Sequence, residues 1–394
     1  MKERIRTLLI DANGLTWKAV MADTMLKGIL GLRNSRCLLQ GLPESGLLQK
    51  VLGNRNESLS YVLDWREAFC EAPELSVEVA SSTDLVGFYR SLRKIEEFPL
   101  IVVLHSATGD SMFVLSKMAN WFNRRRGKLA VFIGNEYSLL TEKIGFVNRV
   151  EAEYVCSQLQ VESARWLYDE CIHSKILCMP HALNPRLYSV DRSCQRKIDI
   201  GFIGDLYHNV IGDMERTNLV RFFQKQGADF GISCDIRFRR LSRQGWVHFL
   251  RECRGVLGAE SGTYYLDKTG KIIKSVRAYV KANPQADFEQ VYERFFKGRA
   301  SPVSGKVISS RHFEPVGAKT CQVLIEGYYN DIFTGDEHYI SVKRDLSNIE
   351  DVIERFKDED YRHSMVERTY EYVMAFHTYR HRVRSFLEAI AENL

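Results

Sequence analysis

The chain has 394 residues, of which 45% are hydrophobic and 27% are charged, a balance typical of folded globular proteins that excludes intrinsic disorder. Its 55 Lys and Arg residues exceed its 50 Asp and Glu residues by only five, so the net charge alone gives no sign of a nucleic-acid-binding protein. At roughly 150 residues per domain, the length predicts two or three domains.

Signals for membrane insertion and for metal-binding cysteines are weak. No apolar run reaches the ~18 residues of a membrane span, and the opening segment MKERIRTLLIDANG lacks the apolar region of a secretory signal. These features predict a cytoplasmic protein with at most peripheral contact with the inner face of the membrane. The nine cysteines are widely spaced, without a C-x-x-C pair or a zinc-type Cys/His spacing, so we expect reduced thiols and no bound metal.

Short runs rich in Val, Ile and Leu alternate with helical patterns along the chain. Such runs are typical of parallel strands buried on both faces, and their alternation with helices favours right-handed α/β units. Two series of these strands predict two doubly wound, Rossmann-like domains. The predicted strands are residues 7–10, 100–104, 129–133, 154–156 and 175–179, then 198–203, 229–234, 255–257, 321–325 and 339–342.

A polar segment separates the two series. NPRLYSVDRSCQR, residues 184–196, contains Pro185 and has no sustained periodicity, which predicts an interdomain linker. The C-terminal residues have strong helical periodicity. The predicted units are an N-terminal domain (1–188), a second domain (189–365) and a final helix that returns to the first domain (366–394).

One region interrupts the second series of strands. Residues 262–302 predict an irregular loop, with helical periodicity only around residues 288–296. An insertion at the carboxyl edge of a sheet often shapes a ligand pocket, and we expect that role here.

A strand runs into two glycines in IDIGFIGDLYHNVIGDMER, residues 198–216. Gly201 and Gly204 let backbone N–H groups approach an oxyanion, and Arg216 lies near the first turn of the helix that follows. The pattern favours a phosphate site. A tight strand-to-helix turn that binds no ligand has the same pattern, and it is the more frequent of the two.

Charged side chains crowd a turn in SSRHFEPVGAKTCQVLIEG, residues 309–327. Glu314 precedes an apolar strand, where a carboxylate can accept both hydroxyls of a ribose. Arg311 and Lys319 can neutralise phosphate oxygens, and His312 lies in the same turn. A surface cluster of salt bridges would have the same composition, so residue types alone do not separate the two interpretations.

Polar loops also follow two strands of the first domain. HSATGDS, residues 105–111, places His105 and Asp110 at the carboxyl end of a strand as candidates for a catalytic base. FIGNEY, after the next strand, places Asn135 and Glu136 at the equivalent position as ligand-binding candidates. A histidine that ends a buried strand is also typical of core packing, which is the stronger interpretation of His105.

Three segments resemble glycosyltransferases of the GT-B fold, and specifically their CgeB-like group. CMPHALNPRLYSV resembles the interdomain motif of that group, and IDIGFIGDLY resembles the strand and glycine turn that open its second domain. RHFEPVGAKTCQVLIEG resembles its R-x-F-E turn with the apolar strand that follows. The resemblance covers about residues 175–375. It implies two Rossmann-like doubly wound domains facing a cleft, with C-terminal helices packed back on the first domain.

The resemblance also implies which residues bind the substrates. The second domain would hold a nucleotide-sugar donor, with Glu314 on the ribose and Arg311 near the pyrophosphate, and the first domain would hold the acceptor. Glu260 follows the strand GVLG, where relatives have a donor-side loop, and it joins His105 and Asp110 as a catalytic candidate. Asn135 and Glu136 become acceptor-side candidates. The donor-side positions are Gly201, Gly204, Arg216, Ser261, Arg311, His312, Glu314, Gly317, Lys319 and Thr320.

One position departs from the pattern of these enzymes. The wider retaining group often has a second acid eight residues before the ribose carboxylate, and this chain has Lys306 there. We therefore expect the usual contact with a sugar hydroxyl to be altered.

The sequence as a whole predicts a glycosyltransferase that moves a sugar from a nucleotide donor to a hydroxyl of a glycan, a lipid-linked acceptor or a small molecule, without a nucleic-acid partner. Arg, Lys and helix-terminal N–H groups can stabilise the departing diphosphate, so we expect no metal or other cofactor besides the nucleotide sugar as co-substrate. Two alternatives stay open: a catalytically silent nucleotide-sugar or glycan-binding protein, and a sugar-nucleotide epimerase or hydrolase of the same fold.

Overall fold

The computed structural model describes residues 3–13, 17–31, 60–109, 111–191 and 193–393. The chain falls into two compact units, which we call unit 1 and unit 2. Unit 1 comprises Met1–Ser157, Ala164–Met179 and Val383–Leu394, and unit 2 comprises Gln158–Ser163 and Pro180–Arg382.

Unit 1 is built on a sheet of six parallel strands in the order β2-β1-β3-β4-β5-β6. The strands are β1 (Ile5–Asp11), β2 (Leu75–Ser81), β3 (Leu100–Val103), β4 (Lys128–Phe132), β5 (Tyr154–Ser157) and β6 (Lys175–Cys178). The helices of this part of the chain are α1 (Trp17–Asp23, continued as a π-helix at Thr24–Ile29), α2 (Ser60–Glu71), α3 (Leu85–Leu92), α4 (Phe113–Phe122), α5 (Leu140–Arg149) and α6 (Val161–Leu167).

Unit 2 contains a parallel sheet of five strands in the order β13-β12-β9-β7-β8, and a separate antiparallel pair, β10-β11. The strands are β7 (Ile198–Ile203), β8 (Cys234–Arg237), β9 (Cys253–Gly258), β10 (Ser261–Thr263), β11 (Gly305–Val307), β12 (Cys321–Ile325) and β13 (Ile340–Val342). The helices are α7 (His208–Ile211), α8 (Glu215–Gln226), α9 (Arg243–Glu252), α10 (Lys271–Ala282), α11 (Phe288–Phe295), α12 (Ser310–Gly317), α13 (Ile349–Lys357), α14 (Glu359–Phe376) and α15 (Tyr379–Ile390).

The central strands are apolar on both faces, which explains why they form parallel sheets. Every residue of β3 and of β12 is buried, as expected for parallel strands covered by helices on both sides. Helix α15 ends in unit 1, where Phe386 packs against Phe69 and Phe132 with ring centroids 5.7 and 5.5 Å away. The predicted pair of doubly wound sheets, and the return of the C-terminal helix to the first, are confirmed.

Most predicted strands lie close to the observed ones, and those at 198–203 and 321–325 have the observed bounds. The strand predicted at 229–234 is wrong, because Gly227–Phe230 is a 3-10 turn that ends at Gly231 in the left-handed conformation, with φ 69°. The apolar run there supplies core side chains before the strand begins.

Residues 264–304 connect β10 to β11 and form what we call the insertion hairpin. Its two helices, α10 and α11, pack together through a small core that includes Val276, Val291 and Phe296. The sequence predicts an irregular loop where α10 lies, and this prediction is wrong. The β-branched residues of IIKSVRAYV lower helix propensity, but Ile273 and Val276 lie on one face and pack inward, which stabilises the helix.

Two of the places where the chain passes between the units are hydrogen-bonded to each other. It leaves unit 1 after Met179 and returns after Arg382, so the crossing comes nine residues before the predicted boundary at 188. Arg382 Nε donates to the carbonyl of Pro180 at 3.0 Å, and Leu183 N donates to the carbonyl of His377 at 2.9 Å. These bonds hold the two crossing segments side by side within unit 2.

His181 next to this crossing makes stability depend on pH. Its side chain is buried, and burial, with a smaller effect of Arg382, lowers its pKa to about 3. In the unfolded chain, His181 binds a proton near pH 6.5. The stabilisation from the neutral ring is therefore present above that pH, and the free energy of unfolding decreases by up to ~1.4 kcal/mol per pH unit as the pH falls toward 3. We expect His181→Gln to reduce the slope of unfolding free energy against pH by up to one proton between pH 6 and 4, measured by urea denaturation.

The matched control is His363→Gln on the exposed face of α14, which should leave the slope unchanged. Equal slopes for the wild type and His181→Gln would contradict the assignment, whatever the absolute stability of the variant.

Candidate functional site

The loops after β7, β9, β12 and β13 lie at one edge of the unit 2 sheet, because parallel strands all end at the same edge. Gly204 follows β7, Glu260 follows β9, Gly327 follows β12 and Arg344 follows β13. In doubly wound domains, this carboxyl edge is where ligands bind.

Two arginines from different helices converge at this edge. Arg311, in the first turn of α12, donates from Nη1 to the carbonyl of Ile203, the last residue of β7, at 3.3 Å. Arg216, in the first turn of α8, donates from Nη2 to the carbonyl of Glu260 at 3.3 Å. Burial lowers the pKa of Arg216, the charge of nearby Asp213 partly opposes this effect, and the charge of Arg311 adds to it.

These two guanidinium groups form few direct ion pairs with carboxylates. Among the residues that the structure describes, Arg216 has no ion pair with an acid, and the one carboxylate oxygen near Arg311 is Glu314 Oε2, at 3.9 Å from Nε. Guanidinium groups donate forked hydrogen bonds to phosphate oxygens. The pair is therefore suited to an anion that carries two phosphates.

Glu314 is held by a tryptophan that the sequence analysis missed. Trp246 on α9 donates its indole N–H to Glu314 Oε2 at 2.7 Å, and the Arg311 guanidinium lies 4.1 Å above the Trp246 ring. Both contacts of Glu314 use Oε2, which leaves Oε1 uncommitted by them. A lone tryptophan on the apolar face of an amphipathic helix is typical of core packing, so the sequence carries no signal for this hydrogen bond.

His312 fixes the start of α12. Its Nδ1 accepts the backbone N–H of Ser309 at 2.9 Å, so its Nε2 carries the proton and donates to the carbonyl of Ala259 at 3.1 Å. Burial lowers its pKa to about 4, which keeps the ring neutral. Both nitrogens are thus used inside the protein, and His312 ties α12 to the end of β9 rather than presenting a free donor to a ligand.

Lys306 is a buried, paired group. Its side chain is 3% exposed, and Nζ lies 2.8 Å from Asp213 Oδ2, 3.7 Å from Glu215 Oε2 and 4.5 Å above the ring of Tyr264. Arg344 Nε lies 3.4 Å from the other oxygen of Glu215. Two carboxylates therefore surround the position where the wider enzyme group has a single acid.

Glu260 also has its carboxylate committed within unit 2. Oε1 accepts the backbone N–H of Tyr329 at 2.7 Å, and the Cβ of any side chain at Gly327 would collide with this carboxylate. Burial raises the pKa of Glu260, against the effect of that backbone hydrogen bond. The contacts make Glu260 a link between the loops after β9 and β12. Its neighbour Ser261 begins β10 and is half-buried.

The predicted glycines have different surroundings. A Cβ at Gly201 would collide with Cys253 Sγ and Phe249, so this glycine allows β7 to pack against α9. A Cβ at Gly317 would collide with the backbone of Tyr188. Gly204 has no atom nearer than 3.6 Å to such a Cβ, so it is the least crowded of the three, while its own N–H donates to the carbonyl of Arg237 at 3.2 Å.

Lys319 and Thr320 lie after the C-terminal end of α12, the negative end of the helix dipole, which does not favour the predicted pyrophosphate contact. Lys319 pairs with Glu367 and lies 4.6 Å above the Tyr370 ring. Thr320 Oγ1 donates to the carbonyl of Leu250 at 2.7 Å. We therefore leave both residues, with the backbone of 316–319, out of the proposed site.

In unit 1, His105 is buried against aromatic rings. Its ring centroid lies 5.5 Å from that of Trp65 and 5.2 Å from that of Phe132. This environment favours the core interpretation over that of a catalytic base. Asp110, the other candidate in that loop, lies outside the described residues.

The acceptor-side candidates of unit 1 flank a buried network. Glu136 Oε1 accepts hydrogen bonds from Ser157 Oγ at 2.6 Å and from the Tyr168 hydroxyl at 2.7 Å. Burial and the Glu136 charge raise the pKa of Tyr168. Asn135 is half-buried, with φ 48°, and its carbonyl accepts from the buried Lys143 at 3.0 Å. Glu136 thus stabilises unit 1, while Asn135 remains an acceptor-side candidate.

Comparisons with known proteins agree with this fold. A family model described as glycosyl transferase-like matches residues 241–388. An alpha-glucosyltransferase in complex with UDP-glucose and DNA containing an abasic site has a TM-score of 0.55 at 10% identity, with 99% of this chain and 100% of that one covered. T4 phage BGT in complex with its UDP-glucose substrate has a TM-score of 0.51 at 9% identity, with the same coverage. The chain has the GT-B fold.

The predicted fold is confirmed, the family match over residues 241–388 supports the predicted enzyme class, and the assignment to the CgeB-like group stays a prediction. No curated protein sequence matches the chain significantly. Across the described ranges, no helix is both long and apolar enough to cross a membrane. The same ranges contain no group of three or more His, Cys, Asp or Glu side chains placed to hold a metal ion.

Removal of the Lys306 charge should destabilise the protein strongly. Lys306→Met leaves the carboxylates of Asp213 and Glu215 without their buried cation, and loss of one member of a buried pair costs about 3 kcal/mol or more. Chemical denaturation should show that loss, and a second change, Asp213→Asn, should restore part of it. Lys297→Met, which removes an exposed lysine paired with Glu293, should have little effect. Similar losses in both single variants would contradict the structural role of Lys306.

Proposed function

We propose that unit 2 holds a nucleotide-sugar donor at its carboxyl edge, with Arg216 and Arg311 on the diphosphate and Glu314 on the ribose. The convergence of two guanidinium groups with little carboxylate compensation supports this proposal most. Glu314 suits the ribose because Trp246 fixes its carboxylate, so that it is oriented before the ligand binds. Gly204 leaves space at the end of β7 beside these groups.

In the proposed reaction, the acceptor hydroxyl attacks C1 of the sugar. The bond between C1 and the diphosphate oxygen breaks, a new bond joins C1 to the acceptor oxygen, and the acceptor proton leaves to a base. The departing nucleoside diphosphate takes the electron pair and gains negative charge. Arg216 and Arg311 are placed to stabilise that charge, which is the main demand of such a step.

The acceptor is a hydroxyl of a glycan, a lipid-linked glycan or a small molecule. Two structures of similar fold were solved with UDP-glucose, so UDP-glucose is the first donor to test. We assign no base, because His105 and Glu260 are both buried in contacts of their own.

Donor binding should depend on the three residues named above. We expect Arg216→Gln, Arg311→Gln and Glu314→Gln each to weaken the donor about 10-fold or more, since a hydrogen bond to a charged group contributes ~1.5–3 kcal/mol. A thermal-shift screen over UDP-, GDP-, TDP-, ADP- and CMP-sugars finds the donor, because a bound ligand raises the melting temperature. Calorimetry then gives the dissociation constants.

Arg221→Gln is the matched control for these variants, because Arg221 lies on α8 like Arg216 but is exposed. It should bind the donor as the wild type does. Unchanged donor affinity in both Arg216→Gln and Arg311→Gln would refute the diphosphate site. Donor binding without turnover over a broad acceptor panel would favour a silent binding protein, and turnover without acceptor would favour an epimerase or hydrolase.

We further propose that transfer needs no divalent metal, because Arg216 and Arg311 supply the positive charge that a metal would otherwise bring to the diphosphate. Activity should therefore persist in excess EDTA, with the initial rate within about twofold of the untreated enzyme. Complete loss of activity in EDTA, with recovery on addition of Mg²⁺ or Mn²⁺, would overturn this part of the proposal and leave the donor site intact.

A further inference from the structure

The insertion hairpin holds most of the net charge of the protein. Residues 264–304 contain eight Lys and Arg side chains against four Asp and Glu side chains, a net charge of +4 in a chain whose total is +5. The rest of the chain is therefore almost neutral. The net positive charge is therefore concentrated in the insertion hairpin.

Helix α10 carries the basic side chains on one exposed face. Lys271, Lys274, Arg277 and Lys281 are all exposed, and no acidic residue occurs in the helix. Their spacing of three, three and four residues keeps them on one side, over a length of ~15 Å at 1.5 Å per residue. The opposite face is apolar and buries Ile273 and Val276. The helix thus presents a straight row of cations to solvent.

The three lysines of this row are not neutralised by neighbouring acids. Among the described residues, Lys271, Lys274 and Lys281 have no ion-pair partner. Asp267 accepts backbone N–H bonds from Thr269 and Ile272, both at 2.9 Å.

One acid and the one cation of the facing helix, α11, have partners within the insertion hairpin. Glu293 of α11 pairs with Lys297, and Arg294 lies 4.8 Å above the Tyr279 ring. The latter contact packs α11 onto α10 and covers an aromatic face. The basic row therefore faces solvent on a packed helical hairpin.

We propose that the basic face of α10 binds the phosphate backbone of a double-stranded nucleic acid. A strand of duplex has one phosphate per ~3.4 Å of axis, so a 15 Å row of cations can follow about four phosphates. Single-stranded nucleic acid needs exposed aromatic platforms, and a membrane surface favours exposed apolar side chains beside the cations. The described residues of the insertion hairpin expose no large hydrophobic side chain, which favours the duplex over both.

The binding should be independent of base sequence, because Lys and Arg contacts to phosphates position a protein without reading bases. This surface differs from the expectation of no nucleic-acid partner, which followed from the small total charge. The surface does not depend on the donor site. Combined with the proposed function, it makes duplex nucleic acid the first acceptor class to test.

The test is the salt dependence of binding to a 20-base-pair DNA duplex, followed by fluorescence anisotropy between 50 and 200 mM NaCl. The logarithm of the binding constant falls against that of salt with a slope of about −0.9 per phosphate contact. We expect the triple variant Lys271→Gln/Lys274→Gln/Lys281→Gln to flatten this slope by about 2.7 and to weaken binding at least tenfold at 50 mM NaCl.

The control carries the same change of charge elsewhere in unit 2. Arg221→Gln/Lys225→Gln/Lys357→Gln removes three exposed cations that lie outside the insertion hairpin. It should keep the wild-type slope. Equal slopes in both triple variants would overturn the proposal, and so would a wild type that binds vesicles with anionic lipid but no duplex.

Both triple variants should unfold at the wild-type temperature and bind the nucleotide-sugar donor as the wild type does, because none of the changed residues lies at the donor site. Loss of duplex binding with unchanged donor affinity supports the surface. Loss of donor affinity in the first triple variant alone would show that the insertion hairpin acts on the donor site, and would overturn the assignment of α10 to a nucleic acid.

Discussion

The candidate site depends on the contact between Trp246, Glu314 and Arg311. The indole of Trp246 donates to the carboxylate of Glu314 and carries the guanidinium of Arg311 on its face. One ring on α9 therefore orients an anion and a cation of α12 at the same time. Because a buried carboxylate is stable only when it is hydrogen-bonded, removing the indole N–H would disturb the charge that the ligand meets. The donor edge thus rests on packing between two helices.

The four cations at this edge differ in the groups that they contact. Lys306 forms ion pairs with Asp213 and Glu215, and Arg344 forms an ion pair with Glu215. Among the described residues, Arg216 forms no ion pair, although the charge of Asp213 acts on it, and Arg311 has one carboxylate oxygen at 3.9 Å. The first pair of cations is neutralised by direct ion pairs, and the second pair is the one we propose for a ligand. The distinction comes from distances and burial, since all four side chains carry the same charge.

Sequence patterns predicted the fold well where one local signal decides the structure. The strands β7 and β12 are continuous apolar runs, so their bounds follow from hydropathy. The edge strand β2 mixes buried and exposed positions, so it has no continuous apolar run that would predict it. Helix α10 was missed because its β-branched residues hide a helical period that packing against α11 stabilises.

The site was less predictable, because proximity in the chain does not show direction in space. Arg311, Glu314 and Lys319 lie within nine residues, and the first two face the donor edge while Lys319 lies past the opposite end of α12.

The total charge of the chain also does not show where its charges lie in space. A net charge of +5 indicates no polyanion when it is spread over 394 residues, yet four of these charges belong to one insertion of 41 residues. Electrostatic attraction to a polyanion falls off within a Debye length of ~8–10 Å, so a partner responds to the local row of cations and hardly to the sum. The net charge of the whole sequence therefore does not exclude a polyanionic partner. What a charge count can exclude depends on how the fold distributes the charge.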